Sequence, residues 1–342
     1  MWTPASQRYD NADFRRCGTS GLKLPPISLG LWQNFGHGRH GHGGDEAVQR
    51  DILRTAVDAG ITHFDLANNY GPPPGAAESM FGQVMASDFA GIRDELIIST
   101  KAGYEMWDGP YGDGGSRKYL IASLNQSLTR MGLDYVDIFY HHRWTEDTPV
   151  EETMLALDQI VRSGKALYVG ISSYSASQTR RAVGLADELR LPLVIHQPSY
   201  SMVNRWVEQP DEQDEAGASL LEVCEQAGLG VIPFSPLHQG LLTDRYLQGV
   251  PEGSRATQGY SLGEKQLDEA TLTRIRQLND VAQQRGQSLA AMALAWLLRD
   301  QRITSVLIGA SSVEQLQTNL AAIDSPGFSE AELAQLEQVL AG

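Results

Sequence analysis

Four residues in the first half of the chain could together protonate a carbonyl oxygen. Asp65 stands in THFDLA (62–67), Tyr70 follows it in NNYGPPPG, Lys101 ends ELIISTK (95–101) and His142 ends VDIFYHH (136–142). A phenol of ordinary pKa, about 10, donates poorly near neutrality, and a neighbouring ammonium stabilises the phenolate and draws that value down. Lys101 is expected to play this part, with Asp65 holding it by ion pairing, while His142 hydrogen-bonds the carbonyl oxygen and orients it for hydride attack. Singly, each has a plainer reading: a cap, a turn aromatic, a snorkelling rim residue, a satisfied core imidazole. Their arrival at the ends of successive apolar runs is what sets them apart.

Those runs define the frame. ISLGLW (27–32), THFDLA, ELIISTK, VDIFYHH, LYVGIS (167–172), LVIHQP (193–198), GVIPFSP (230–236) and TSVLIGA (304–310) are each too short and too apolar for half-exposed strands. Between them lie stretches of helical period, such as Ala47, Val48, Ile52, Leu53, Ala56 and Val57, then Leu120, Leu124, Leu128 and Met131. Gly60, Gly164 and Gly228 stand where helices should end. Eight buried strands alternating with helices predict an α/β protein, a (β/α)₈ TIM barrel forming one domain over 1–342. The remaining chain is expected as an N-terminal β-hairpin plug or lid around Thr19-Ser20-Gly21, a loop from Leu237 to Gln266, and extra helices at Leu289–Arg299 and from Ser329. In such a barrel the reacting groups come from the C-terminal strand ends, which here read Trp32, Asp65, Lys101, His142, Ser172, Gln197, Ser235 and Gly309. Packing alone would not select so polar a set.

The net charge of −15 and a pI of about 4.9 disfavour a nucleic-acid or anionic-membrane surface, since no basic patch is present to meet phosphate. Two cysteines, Cys17 and Cys224, are too few to staple the chain and suit a reducing compartment. The start MWTPASQRYDNADF does not read as a leader, and no segment approaches the roughly 18 apolar residues of a membrane span. A cytoplasmic protein is expected.

GLWQNFG, GITHFDLANNYGPPPGAAE, LIISTKAG, GLDYVDIFYHHR, GKALYVGISSYS, IHQPSYS, FSPLHQGLLTDRY and SVLIGASSVEQL, in this order, make nearly the whole chain resemble the aldo-keto reductases. Within that family it is similar to the branch of bacterial L-glyceraldehyde 3-phosphate reductases and potassium-channel β subunits, and STKAGYEMW and GPYGDGGSRKYL favour the former. The resemblance assigns the catalytic set to Asp65, Tyr70, Lys101 and His142, choosing His142 over His141 because a residue such as Arg or Trp follows it. Strand alternation agrees, since neighbours point to opposite faces. It also implies NADPH across the barrel mouth: Trp32, Asp65, Ser172, Ser173 and Gln197 at the nicotinamide, then Ser235, Pro236, Leu237 and Gly240 along the pyrophosphate. Arg245, Arg255, Gly309, Ser311, Gln315 and Asn319 would meet the adenosine end. Arg245 and Ser311 suit a 2′-phosphate, although position 315 is Gln where many members carry Arg.

The expected activity is NADPH-dependent reduction of small aldehydes such as glyceraldehyde 3-phosphate or methylglyoxal-like carbonyls. Trp32, Tyr70, Trp107, His142 and Arg143 are the substrate-side residues, with Tyr104, Tyr111, Arg117 and Arg205 as further candidates. Relatives in this branch form homo-oligomers, so the resemblance implies one here. A rival reading is an NADPH-binding regulatory subunit with weak reductase activity; His142, retained where the channel subunits depart from the set, speaks against it. GHGRHG (36–41) formally matches the G-x-G-x-x-G fingerprint, but the next helix begins nearer Asp45, too late for these glycines to seat a pyrophosphate. His37, His40 and His42 in that loop have metal-ligand spacing but no obvious carboxylate or thiolate partner, and no metal is expected.

Overall fold

A computed structural model describes residues 2–10, 12–37, 44–247 and 267–341. Its centre is a sheet of eight parallel strands: β3 (Ile27–Gly30), β4 (His63–Asp65), β5 (Ile97–Ala102), β6 (Val136–His141), β7 (Ala166–Ser172), β8 (Leu193–Gln197), β9 (Gly230–Val231) and β10 (Val306–Ile308). Each strand pairs with its neighbour in chain order, and β10 returns to pair with β3. A parallel bridge between Val231 and Ile303, and the Leu307 N–H donating to the Pro233 carbonyl at 2.9 Å, close the circle into a (β/α)₈ barrel.

The run 230–236 yields only two strand residues because Pro233 has no N–H for the ladder. In β7 the apolar pattern overstates burial, for Leu167 is 47% exposed. The first helix, α1 (Glu46–Asp58), starts behind Asp45, whose carboxylate accepts from the Ala47 N–H, so the glycines of GHGRHG do not open it. Residues 38–43, with His40 and His42, lie outside the described residues. Its buried face also differs from the expected one: Val48 is exposed and Gln49 buried, the Gln49 amide both donating to and accepting from the Gly36 backbone.

Helices α2 (Ala76–Ser87), α3 (Arg117–Met131), α4 (Val150–Arg162), α5 (Ala176–Leu189) and α6 (Leu220–Ala227) wrap the outside, and Leu120, Leu124, Leu128 and Met131 of α3 face inward as their spacing predicts. Beyond α7 (Glu269–Gln284), the extra helices are α8 (Leu289–Leu298) and, past α9 (Val313–Leu320), α10 (Glu330–Ala341). Among the described residues no helix is long and apolar enough to cross a membrane.

The N-terminal hairpin, β1 (Arg15–Arg16) against β2 (Lys23–Leu24), is a plug and not a lid. Cys17, Leu22 and Leu24 pack with Ile138, Tyr140, Ile195, Ile232 and Leu307 at the barrel's apolar centre. Gly230 makes this fit possible, since a Cβ there would lie 2.4 Å from Cys17 Sγ.

Candidate active site

Lys101 is the penultimate residue of β5, its ammonium fully buried, a placement tolerable only if its three N–H donors are met. They are: Nζ donates to Asp65 Oδ2 at 2.5 Å, to the Leu66 carbonyl at 2.7 Å and to Tyr70 Oη at 3.3 Å. Asp65, from β4, is itself buried, and its Oδ1 accepts from Ser99 Oγ at 2.6 Å and Gln197 Nε2 at 3.3 Å. Behind the strand, Thr100 Oγ1 donates to Glu78 at 2.5 Å and Arg130 Nε to the same carboxylate at 2.7 Å, tying α2 and α3 to β5.

His142 lies one residue past β6, its ring centroid 5.9 Å from that of Tyr70. His141, on the opposite face, meets Tyr174 Oη through Nδ1 at 2.6 Å. Burial, with Lys101, His141 and Arg143 as further positive or polar neighbours, pushes the His142 pKa well below its ordinary value of 6.5. The imidazole is therefore neutral at physiological pH, and its protonated nitrogen can donate to an oxygen without carrying a charge.

Tyr70 corrects the expectation drawn from its neighbours. Lys101 does not draw the phenol down; burial, reinforced by the negative charge of Asp65, holds it well above 10. Desolvation prevails because Tyr70 receives the longest of the three ammonium contacts, the shorter two going to Asp65 and Leu66. The same burial lowers Lys101 from its ordinary 10.5, opposed by the Asp65 carboxylate. At rest the phenol keeps its proton.

Around this centre the mouth is aromatic and cationic. Tyr104 stands edge-on to His142 at 4.7 Å, and the Arg143 guanidinium lies 4.6 Å over the Tyr104 ring. Arg143 also donates to the Gly103 carbonyl at 2.7 Å and to both Asp113 oxygens at 2.9 and 2.8 Å. Trp107 packs on Tyr119 at 5.2 Å, and Trp32 is 37% exposed at the rim. Tyr111 is largely exposed. Arg117 and Arg205 are turned elsewhere: the first donates to Gln159, the second bridges Glu208 and Glu337 beneath Trp296.

Of the residues expected to hold a dinucleotide, the described ones end a barrel strand or lie in the segment that follows one. Ser172 Oγ donates to the Gln197 carbonyl at 2.8 Å, linking β7 to β8. Ser173 (φ 57°) and Ser235 (φ 54°) are non-glycine residues in left-handed backbone just past β7 and beyond β9, strain of the kind that gathers where backbone must face a ligand. Pro236 is buried, with Leu237 and Gly240 half-buried beside it. Arg245 is exposed on the following turn, and Arg255 lies outside the described residues. Past Gly309, the Ser311 N–H and O–H both donate to Gln315 Oε1, at 2.8 and 2.9 Å, so donors expected to meet a 2′-phosphate are engaged by the glutamine. The Asn319 amide nitrogen, by contrast, is buried without a hydrogen-bond partner among the described residues, an arrangement that suits a bound acceptor. The residues present thus fit a nicotinamide dinucleotide. Sequence reasoning passed over Ser28, His63, Ser99, Glu78 and Arg130; the first three were detectable as polar residues two places before Gly30, Asp65 and Lys101, hence on the same strand face.

Comparison with known proteins agrees with this geometry. The model of the Aldo/keto reductase family matches residues 26–341. The L-glyceraldehyde 3-phosphate reductases of Escherichia coli O157:H7 and of strain K12 are each 57% identical to the chain, covering 100% of it and 96% of their own length. A probable voltage-gated potassium channel subunit beta of Arabidopsis thaliana is 34% identical, with 96% of both chains covered. With its barrel, its hairpin plug and a polar strand-end cluster in place, the chain belongs to the aldo/keto reductase family, oxidoreductases that reduce carbonyl groups with a nicotinamide dinucleotide.

Proposed function

We propose that the protein reduces small aldehydes with NADPH in the cytoplasm, glyceraldehyde 3-phosphate first among them and methylglyoxal-like carbonyls second. The observation that carries this reading is the buried Lys101 ammonium placed between Asp65 and the Tyr70 hydroxyl, with a neutral His142 facing the same phenol. The dinucleotide, held by Trp32, Ser172, Ser173, Gln197, Ser235, Pro236, Leu237, Gly240, Arg245, Gly309, Ser311, Gln315 and Asn319, would supply the hydride that reaches the carbonyl carbon. His142 orients the carbonyl by donating to its oxygen, and Tyr70 delivers its hydroxyl proton as negative charge builds there. The raised phenol pKa suits this task, because the donor must be protonated before the reaction, and Lys101 stabilises the phenolate left behind.

A substrate phosphate would be met by Arg143 in exchange for Asp113, a reading supported by the position of the guanidinium over Tyr104 beside His142. The full-length likeness to reductases named for glyceraldehyde 3-phosphate supports the same substrate.

Oxidation of NADPH with glyceraldehyde 3-phosphate, methylglyoxal and an aromatic aldehyde tests this. Tyr70→Phe should keep NADPH affinity and lose at least about a hundredfold in kcat, and Arg143→Ala should raise KM for the phosphorylated aldehyde alone. Unchanged turnover in Tyr70→Phe refutes the acid, and tight NADPH binding with no turnover on any of the three favours a regulatory subunit instead.

A further inference from the structure

We propose that Ser305, Ser28, His63 and Ser99 form a one-way hydrogen-bond relay that orients the Asp65 carboxylate, which makes His63 a positioning residue for the Lys101–Tyr70 pair; the inference rests on the catalytic reading above. All four side chains are completely buried, as is Asp65. Ser305 Oγ and Ser28 Oγ are 2.6 Å apart, Ser28 Oγ is 2.8 Å from His63 Nδ1, His63 Nε2 is 3.0 Å from Ser99 Oγ, and Ser99 Oγ is 2.6 Å from Asp65 Oδ1. The line crosses four adjoining parts of the barrel wall, from the entry to β10 through β3 and β4 to β5, and ends on the group that holds the ammonium.

The direction follows from donor and acceptor counting. An ionised carboxylate only accepts, so Ser99 must give its single hydroxyl hydrogen to Asp65. Its oxygen can then only accept from the ring, which requires hydrogen on His63 Nε2. Burial holds the His63 pKa down to about 4, so the ring is neutral and Nδ1 is bare. Nδ1 accepts the Ser28 hydrogen, and Ser28 accepts that of Ser305. The other tautomer would set the bare Nε2 lone pair against the Ser99 oxygen at 3.0 Å. Every hydrogen therefore points toward Asp65, and each bond polarises the next in a medium of low dielectric.

Packing does not account for this line. The other side of the barrel interior is filled by Ile138, Tyr140, Ile195, Ile232, Leu307 and the hairpin plug, and apolar side chains of similar size would fill this side at less desolvation cost. What the relay adds is orientation. It fixes Oδ1, so that Oδ2 faces Lys101 and the ammonium's remaining N–H faces Tyr70.

His63→Leu removes the relay with little change of volume, and His63→Gln keeps an amide N–H able to reach Ser99. In His63→Leu, kcat should fall about ten- to a hundredfold with KM for the aldehyde and Kd for NADPH nearly unchanged, and His63→Gln should restore most of the loss. Equal kcat in the two variants, or wild-type kcat in a folded His63→Leu, overturns the relay. Should His63→Leu not fold, Ser28→Ala and ¹⁵N NMR of the wild-type ring decide the matter. The relay requires loss of kcat in Ser28→Ala and hydrogen on Nε2; hydrogen on Nδ1 refutes it without reference to activity. Tyr70→Phe, assayed alongside, separates the two levels. Full turnover there removes the catalytic reading, whereas turnover that needs Tyr70 but not His63 removes the relay alone.

Discussion

Replacing Lys101 by methionine separates what the buried ion pair contributes to folding from what it contributes to turnover. Asp65 and Lys101 are both fully shielded from solvent, and their contact is 2.5 Å. In Lys101→Met the carboxylate keeps only the Ser99 and Gln197 donors, both on Oδ1, among the described residues. Breaking such a pair by removing one partner costs about 3–5 kcal/mol, because an uncompensated charge stays buried. The stranded carboxyl responds by raising its own pKa. Its contribution is then present below its unfolded value and lost as pH rises through the folded one, so the stability gap to wild type should narrow from pH 8 to pH 5. Asp65→Asn combined with Lys101→Met removes both charges and should recover about half of the loss, while kcat stays at least about a hundredfold down. Urea midpoints at both pH values and kcat for the three variants measure this. A loss below about 1 kcal/mol in Lys101→Met, or a double variant no more stable than the single, would refute the argument that the pair is held by mutual compensation.

Acid should weaken the fold through its buried histidines. Burial holds His63 at about 4 and His141 and His196 at about 3, so below about 6.5 the unfolded chain binds more protons and stability falls, each ring removing roughly 2 kcal/mol by pH 5. Urea midpoints at pH 7, 6 and 5 should show this, His196→Leu should remove about a quarter of the slope, since burial holds His142 down as well, and a flat profile rejects it. At the adenosine end, Gln315→Arg should raise NADPH affinity about tenfold over NADH, measured by fluorescence titration; equal gains for both would show that the 2′-phosphate does not lie there.

The site was legible where chemistry and position coincide. Lys101 and His142 stand where an apolar run stops and Asp65 is an acid inside one, and the barrel's geometry makes strand ends the place for reacting groups. Arg117 and Arg205 were not legible in this way, because a long side chain can turn toward whichever carboxylate or amide the tertiary fold supplies, here Gln159 and the pair Glu208 and Glu337. Gln49 displaced Val48 from the buried face of α1 for a similar reason: the half-buried backbone of Gly36 needed both a donor and an acceptor, which one amide provides and no alkyl group can. The direction of the Tyr70 shift was out of reach because it depends on the competition between burial and a 3.3 Å ammonium, two quantities set by packing.

The same packing explains why lysine, with no other cation in its place, suits this position. An ammonium has three donors in fixed tetrahedral directions. Asp65 and the Leu66 carbonyl take two of them at 2.5 and 2.7 Å, and Tyr140, whose ring lies 5.8 Å from Nζ, walls the remaining side. Gly170 makes room for that wall, since a Cβ there would lie 2.4 Å from the Tyr140 ring. The third N–H is thereby left facing Tyr70 Oη. A planar guanidinium has neither the size nor the donor directions to satisfy all three partners, so Lys101→Arg should lose turnover despite keeping its charge, and an arginine variant with wild-type kcat would show that charge alone, and not donor direction, is what Tyr70 requires.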